Sequence, residues 1–303
     1  MEFINRLLYR VSKLFENTYT LKIISKFFDL LSQLWPYVLT GILASTLLLF
    51  ILPHERFSKA FNSQKKRIVF AASLLGAISP VGTYAVIPVI GSLFKTGTRK
   101  GPLTAFMVSS PLINPMLFIL TSGAFGLRMA AARAASSIIL GSTAGLIVLS
   151  WEKGQTGAAP NTGFKKIEPT MKNFLLHLKK QSLFITKVFS VSLLVASAAS
   201  VLVPPDIVAR VMGGSNIYSI LTAAALGVPL YACGGGSIPI MQVMSQLGMS
   251  AGPILAFFIS GPATKASTLV SLFACIEKKI IAVYLAVSLS GAVLFGLLFG
   301  VLY

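Results

Sequence analysis

The sequence predicts an all-α integral membrane protein built from two homologous halves. Three observations predict it: an apolar composition, six long apolar stretches, and a block that recurs 151 residues further on. The chain has 303 residues, 55% hydrophobic and 11% charged, with a mean hydropathy of +0.81. Ordinary soluble domains are about 25% charged; a water-soluble fold of this length cannot hide so much apolar surface. The stretches are Leu34–Leu52, Gly101–Gly123, Met129–Ser150, Phe184–Val203, Gly252–Ile276 and Ile280–Tyr303. Most reach the roughly 20 residues that a helix needs to cross the hydrocarbon. Lys187 lies near the start of its stretch, where a lysine snorkels to the interface. Short alternating strands, the mark of a transmembrane barrel, are absent from the sequence.

Taken in order, the elements follow from local chemistry. At the amino terminus Phe3, Leu7, Val11, Leu14 and Phe15 share a helical face, with Arg6, Arg10 and Lys13 away from most of it. That pattern reads as a helix lying in the membrane interface or as a basic tail. Its charges interrupt the apolar run, so it is not a cleavable signal. A basic amphipathic lead-in, Leu21–Gln33, precedes a span that ends at Pro53. Next comes an apolar stretch, Ile68–Phe94, interrupted by "SPVGTYAVIP" (Ser79–Pro88). Proline removes a backbone donor and glycine permits sharp turns, so Pro80, Gly82 and Pro88 break any helix there. Two spans complete the half, and the polar Glu152–Pro169 reads as a linker. The second half repeats the plan: lead-in Lys172–Leu183, a span ending at Pro204, a stretch Ile217–Leu247 broken at "YACGGGSIP" (Tyr231–Pro239), and two spans. The expected units are residues 1–151, 152–170 and 171–303, each half with about three spans, a broken or re-entrant hairpin and an amphipathic lead-in helix.

The repeat holds register without a gap. Adding 151 carries Pro53 to Pro204, Gly76 to Gly227, Pro88 to Pro239, Gly101 to Gly252, Phe106 to Phe257 and Pro111 to Pro262. A period of half the chain marks one duplicated unit rather than a solenoid. Basic residues do not follow the repeat. Arg56, Lys59, Lys65, Lys66 and Arg67 lie between Pro53 and Ile68, whereas the matching segment has only Arg210. Lys95, Arg99 and Lys100 are matched by Gln246, Ser250 and Ala251. By the positive-inside rule, equivalent ends then lie on opposite faces, which makes the repeat inverted. The rule puts Lys100, the linker and Lys278–Lys279 on the cytoplasmic side, and leaves the basic amino terminus on the other unless it too crosses. The net charge of +18 therefore reads as topology and contact with anionic lipid, not nucleic-acid binding.

The paired blocks "IPVIGSLFKTG…GPLTAFMVSSPLINP" (Ile87–Pro115) and "IPIMQVMSQLGMSAGPILAFFISGPAT" (Ile238–Thr264) resemble the ArsP-type permease family, over most of the chain. The resemblance implies a multi-pass protein of a prokaryotic cell membrane. It also implies efflux of organic arsenicals or related toxic compounds, hence a role in arsenical resistance. Two departures stand out. Many such permeases carry a cysteine pair before the first Ile-Pro, where this chain has Gly82-Thr83-Tyr84-Ala85 and keeps only Cys233 before the second. The polar residue after "GPAT" is often Asn, as at Asn114; here it is Lys265.

Breaks in matching places of two repeats point to a transporter's binding site. The candidate substrate-binding residues are Lys265, Asn114, Thr264, Cys233, Gly234, Gly235, Gly236, Tyr84 and Tyr231. The breaks are assigned to Pro80, Gly82, Pro88, Pro111, Pro239 and Pro262. Lys265 falls near the middle of an apolar stretch, where an ammonium costs at least roughly 2.5 kcal/mol unless it faces protein or water. It reads either as a substrate ligand or as a fixed charge holding unwound carbonyls. The triple glycine reads as an N–H nest or as a tight turn for close packing. Tyr84 and Tyr231 line the cavity or anchor at the interface. The serines Ser109, Ser110 and Ser260 read as backbone partners, and Met241 and Met244 as packing. All eight carboxylates fall in tails, lead-ins, loops or helix ends, which disfavours magnesium transport and an intramembrane proton relay. No cofactor, metal site or enzymatic motif is expected. The expectation is a permease that moves a small polar or anionic solute by alternating access, with a non-transporting membrane assembly protein or a channel as the alternatives.

Overall fold

The computed structural model describes residues 19–51, 66–79, 90, 93–94, 99–152, 170–231 and 234–302. The amino-terminal segment read as an interfacial helix or a basic tail, the linker interior, Pro80, Gly82, Tyr84, Pro88 and Cys233 lie outside the described residues.

The described residues are helical, with no strand among them. The helices are α1 (Tyr19–Ile51), α2 (Arg67–Ile78), α3 (Lys100–Leu112), α4 (Pro115–Phe125), α5 (Leu127–Trp151) and α6 (Met171–Leu202). They continue as α7 (Pro205–Met212), α8 (Ile217–Leu230), α9 (Ser237–Gln246), α10 (Ala251–Thr264), α11 (Ala266–Cys275) and α12 (Lys278–Leu302). Five units among the described residues are long and apolar enough to cross a bilayer: Tyr19–Leu47, Lys100–Phe125, Leu127–Trp151, Met171–Leu202 and Lys278–Leu302. Ala251–Cys275 qualifies as another with its 42° bend included. The chain is a multi-pass membrane protein.

Two features differ from the sequence reading. The lead-ins are not separate helices: Leu21–Gln33 and Lys172–Leu183 run unbroken into their spans as parts of α1 and α6. No glycine or turn residue separates lead-in from span, and α1 carries Pro36 inside it without ending. The two stretches read as simple spans, Gly101–Gly123 and Gly252–Ile276, are each interrupted: α3 stops at Leu112 and α10 at Thr264.

The helices recur at the sequence offset. Helices α5 and α12 begin at Leu127 and Lys278 and end at Trp151 and Leu302, both 151 apart. Their packing recurs too. Helix α3 packs on α2 and α5, and α10 packs on α8 and α12. The Ser109 hydroxyl donates to the Ser73 carbonyl at 2.8 Å, and Ser260 donates to Ala224 at 3.1 Å, at matching positions. The contact is close because glycine faces each serine: a methyl on Gly76 would collide with Ser109 Oγ, and one on Gly227 would come within 2.8 Å of Ser260 Oγ. Small residues at such interfaces let helix backbones approach within the membrane.

One polar cluster ties the halves at one end. The backbone N–H of Lys100, at the start of α3, donates to the Glu152 carboxylate just after α5, and its ammonium pairs with Glu277 just before α12. At the other end, α4 turns into α5 through Gly126, whose φ of +85° favours glycine. Helices α7 and α8 meet at 115°, so α7 does not extend α8 across the bilayer. At 14 residues α8 is about 21 Å long, short of the roughly 30 Å hydrocarbon core.

Candidate functional site

The site is built where helix breaks from the two halves meet. The first break is Ile113–Asn114. Ile113 is extended, and Asn114 caps α4 by accepting the Leu117 N–H at 2.8 Å. Pro115 at the first position of α4 lacks the N–H that no helical partner would have taken. Pro111 lies in the last turn of α3, so the stop falls after it rather than on it. The second break is the equivalent Lys265, extended at φ −54° and ψ 130° between α10 and α11, with Pro262 in the last turn of α10. The third lies between the end of α8 and the start of α9, where Tyr231 and Gly234–Gly236 are described. Pro239 lies in the first turn of α9, where a proline does not disrupt hydrogen bonding.

The structure distributes the predicted residues unevenly. Tyr231 is buried, its ring 6.0 Å from Phe257 by centroids, and a methyl on Gly261 would strike it. A Cβ on Gly234 would meet the methyls of Leu117 at 2.8 and 2.9 Å and the Tyr231 hydroxyl at 3.3 Å. Gly234 therefore seats the second-half break against α4, while Gly235 has room around it. None of Gly234–Gly236 has a positive φ, and the carbonyls of Gly234 and Gly235 accept from Ser237 Oγ and the Ile238 N–H. This geometry is a tight packing turn, the plainer of the two readings. Thr264 is buried and spends its hydroxyl on the Ser260 carbonyl at 2.9 Å. Asn114 is half-buried and uses its side-chain oxygen as the cap. Lys265 is half-buried at its break.

Sequence reasoning missed the central residue. Arg133, inside the stretch read as apolar from Met129 to Ser150, is fully buried. Its Nε donates to the Leu112 carbonyl at 2.9 Å, one of those left open where α3 stops, and its Nη1 donates to Thr121 Oγ1 at 2.9 Å. The guanidinium lies 4.3 Å from the centroid of the Phe258 ring, on α10 of the other half. The Tyr231 side chain interacts with the same guanidinium, electrostatically and as a hydrogen-bond partner. Nη2 makes no well-formed hydrogen bond among the described residues. No described carboxylate pairs with Arg133; the ion pair found joins Lys100 and Glu277. Burying an ion costs several kcal/mol. Two hydrogen bonds to a charge, about 1.5–3 kcal/mol each, and a desolvated cation–π contact of about 2 kcal/mol offset it. The available signal was the arginine itself, since an ionisable residue within an apolar span marks function by default.

A cavity of about 380 Å³ opens at the end of the bundle opposite Lys100, lined by residues such as Phe125, Met129, Ser215, Ser250 and Ile254. Met129 precedes Arg133 by one turn of α5, and Ile254 precedes Phe258 by one turn of α10. Phe125 meets Phe258 edge-on at 5.6 Å between centroids. The cavity therefore ends on an aromatic pair with Arg133 behind it. No group of three or more metal-ligating side chains occurs among the described residues.

Curated relatives cover most of this chain. It is 23% identical to UPF0718 protein MJ0584 of Methanocaldococcus jannaschii, over 80% of this chain and 84% of that protein. It is 22% identical to UPF0718 protein YcgR of Bacillus subtilis, over 86% of this chain and 91% of that protein. It is also 22% identical to UPF0718 protein YraQ of Escherichia coli, over 78% and 69%. No solved structure matches the chain. With broken helices packed around a buried arginine, and a family match running from residue 21 to residue 301, the chain belongs to the ArsP-type family of predicted permeases.

Proposed function

We propose that the protein is a permease of the cell membrane that moves a small polar or anionic solute by alternating access between two inverted halves. The observation that carries this reading is the meeting of the first-half break at Leu112–Asn114 with the second-half break at Tyr231–Gly236, around Arg133 and Phe258. Irregular backbone at membrane depth persists where protein or a watery cavity satisfies its polar groups, and interrupted helices of two halves facing one another are where transporters hold substrate; the two breaks that meet here are not counterparts at the 151-residue offset. Inversion is supported by the Lys100 cluster. It joins the end of α5 to the start of α12, although α5 and α12 are equivalent helices. They also pack side by side, with Gly291 of α12 against Leu140 midway along α5, so a tail-to-head contact between them means that they run antiparallel.

The family resemblance supplies the substrate class, organic arsenicals or related toxic compounds, and the direction, efflux. Cys233 alone, before the second Ile-Pro where many such permeases also carry a pair before the first, argues for recognition through charge and hydrogen bonds rather than a thiolate relay. The test is resistance and accumulation in cells stripped of their own exporters, with methylated arsenicals, arsenite and several oxyanions. Lower accumulation of at least one compound, saturating with its concentration, is the expected result. Unchanged accumulation of every compound refutes the transport reading, and flux that never saturates indicates a channel instead.

A further inference from the structure

We propose that Arg133 is a ligand-binding residue for a small anion bearing carboxylate- or oxyanion-type oxygens, which reaches it from the cavity through the Phe125–Phe258 pair. The proposal rests on the permease reading and assigns its binding group. Arg133 is fully buried, yet its donors are only partly used: Nε and Nη1 are held by Leu112 and Thr121, the Tyr231 side chain interacts with the same guanidinium, and Nη2 makes no well-formed hydrogen bond among the described residues. The two held nitrogens fix the guanidinium plane, so the remaining edge is aimed before any ligand arrives. Guanidinium stays protonated in proteins, and a planar fork suits two oxygens of one anion. No described carboxylate neutralises it, so the site carries a net positive charge that an entering anion cancels.

The route is built from the same helices. Met129 and Phe125 line the cavity on the first-half side and Ile254 on the second. One helical turn inward, about 6 Å, α5 presents Arg133 and α10 presents Phe258. Phe258 thus touches both the gate partner Phe125 and the cation. Movement of α10 against α5, as alternating access requires, uncovers the guanidinium in the step that parts the rings. The cation–π contact holds the charge while no anion is present.

The test uses the purified full chain in lipid nanodiscs. The unfolding midpoint is followed at constant ionic strength against sodium methylphosphonate, sodium acetate and sodium sulfate, for the parent chain, Arg133→Lys and Arg133→Met. In parallel, phenylglyoxal modification of Arg133 in the parent chain is mapped by mass spectrometry with and without each anion. The expected result is saturable stabilisation of the parent by at least one anion, at least tenfold weaker in Arg133→Lys and absent in Arg133→Met. The same anion should slow modification of Arg133 but not of the exposed Arg128. The proposal is overturned if no anion stabilises the parent, if Arg133→Met responds equally, or if modification of Arg133 ignores the anion. An equal response in Arg133→Met leaves the permease reading standing and removes Arg133 from it. Binding at Arg133 without flux keeps the site and removes transport. The modification assay does not depend on the variants folding.

Discussion

Arg133 shows how one side chain organises the surroundings of a break. It takes up an open carbonyl of α3, fixes Thr121 of α4 and lies against Phe258 of the other half. The residue scale also carries a clean test of packing. A methyl at Gly227 would lie 2.8 Å from Ser260 Oγ and 3.0 Å from the Gly261 backbone nitrogen, whereas one at Gly235 would find its nearest neighbour at 3.7 Å. Gly227→Ala should destabilise the protein by about 1–3 kcal/mol, the range for overpacking, and Gly235→Ala by less than about 0.5 kcal/mol, as for substitutions without steric conflict. Unfolding midpoints in one detergent compare them; equal losses would contradict the close approach of α8 and α10. Glycines at a fixed offset were legible because identity alone carries them. The partners of Arg133 were not, because Leu112, Thr121 and Phe258 have no spacing in sequence that links them.

At the scale of elements, the long helices and the second-half break were readable from apolar runs and from glycine and proline. Helix α8 stops at Leu230 and α9 restarts at Ser237, across the Gly-rich run. The interruptions at Asn114 and Lys265 fall three residues after Pro111 and Pro262, the positions the sequence offered, because each proline is held in the last turn of its helix. The chain leaves the helix at Ile113 and restarts at Pro115 behind an Asn114 cap. Asn114 serves α4 with its side chain; Asn114→Ala should cost about 0.5–2 kcal/mol, and Asn114→Ser, an uncharged cap, should restore most of it. Calorimetry of the three proteins decides, and an unchanged Asn114→Ala would show that the cap bears no load. The lead-ins of α1 and α6 were legible as amphipathic helices but not as continuous with their spans, since hydropathy changes there without any change in backbone preference.

At the scale of the molecule, the halves are joined at one end by Lys100, Glu152 and Glu277. Because the Glu277 side chain is 60% exposed, the ion pair contributes little: Lys100→Ala should cost less than about 1 kcal/mol. Its value is positional. Lys100→Cys with Glu277→Cys should cross-link readily in the membrane, and failure of the pair to cross-link would separate the starts of α3 and α12. The positive-inside rule puts Lys100 and Lys278–Lys279 on one side, and the cluster brings Lys100 beside Glu152 and Glu277. The apolar runs made the membrane-spanning helices legible, whereas the residues gathered around Arg133 come from separate helices and leave no local pattern.

The central claim, two inverted halves, is tested most directly by the sidedness of Arg128 and Lys279. These are exposed, equivalent positions at the starts of α5 and α12. Each is replaced by cysteine in a chain whose own Cys233 and Cys275 are changed to alanine, then labelled in intact cells with a membrane-impermeant maleimide. The account predicts labelling from outside at position 128 and protection at position 279 until the membrane is opened. Labelling of both from the same side would contradict it.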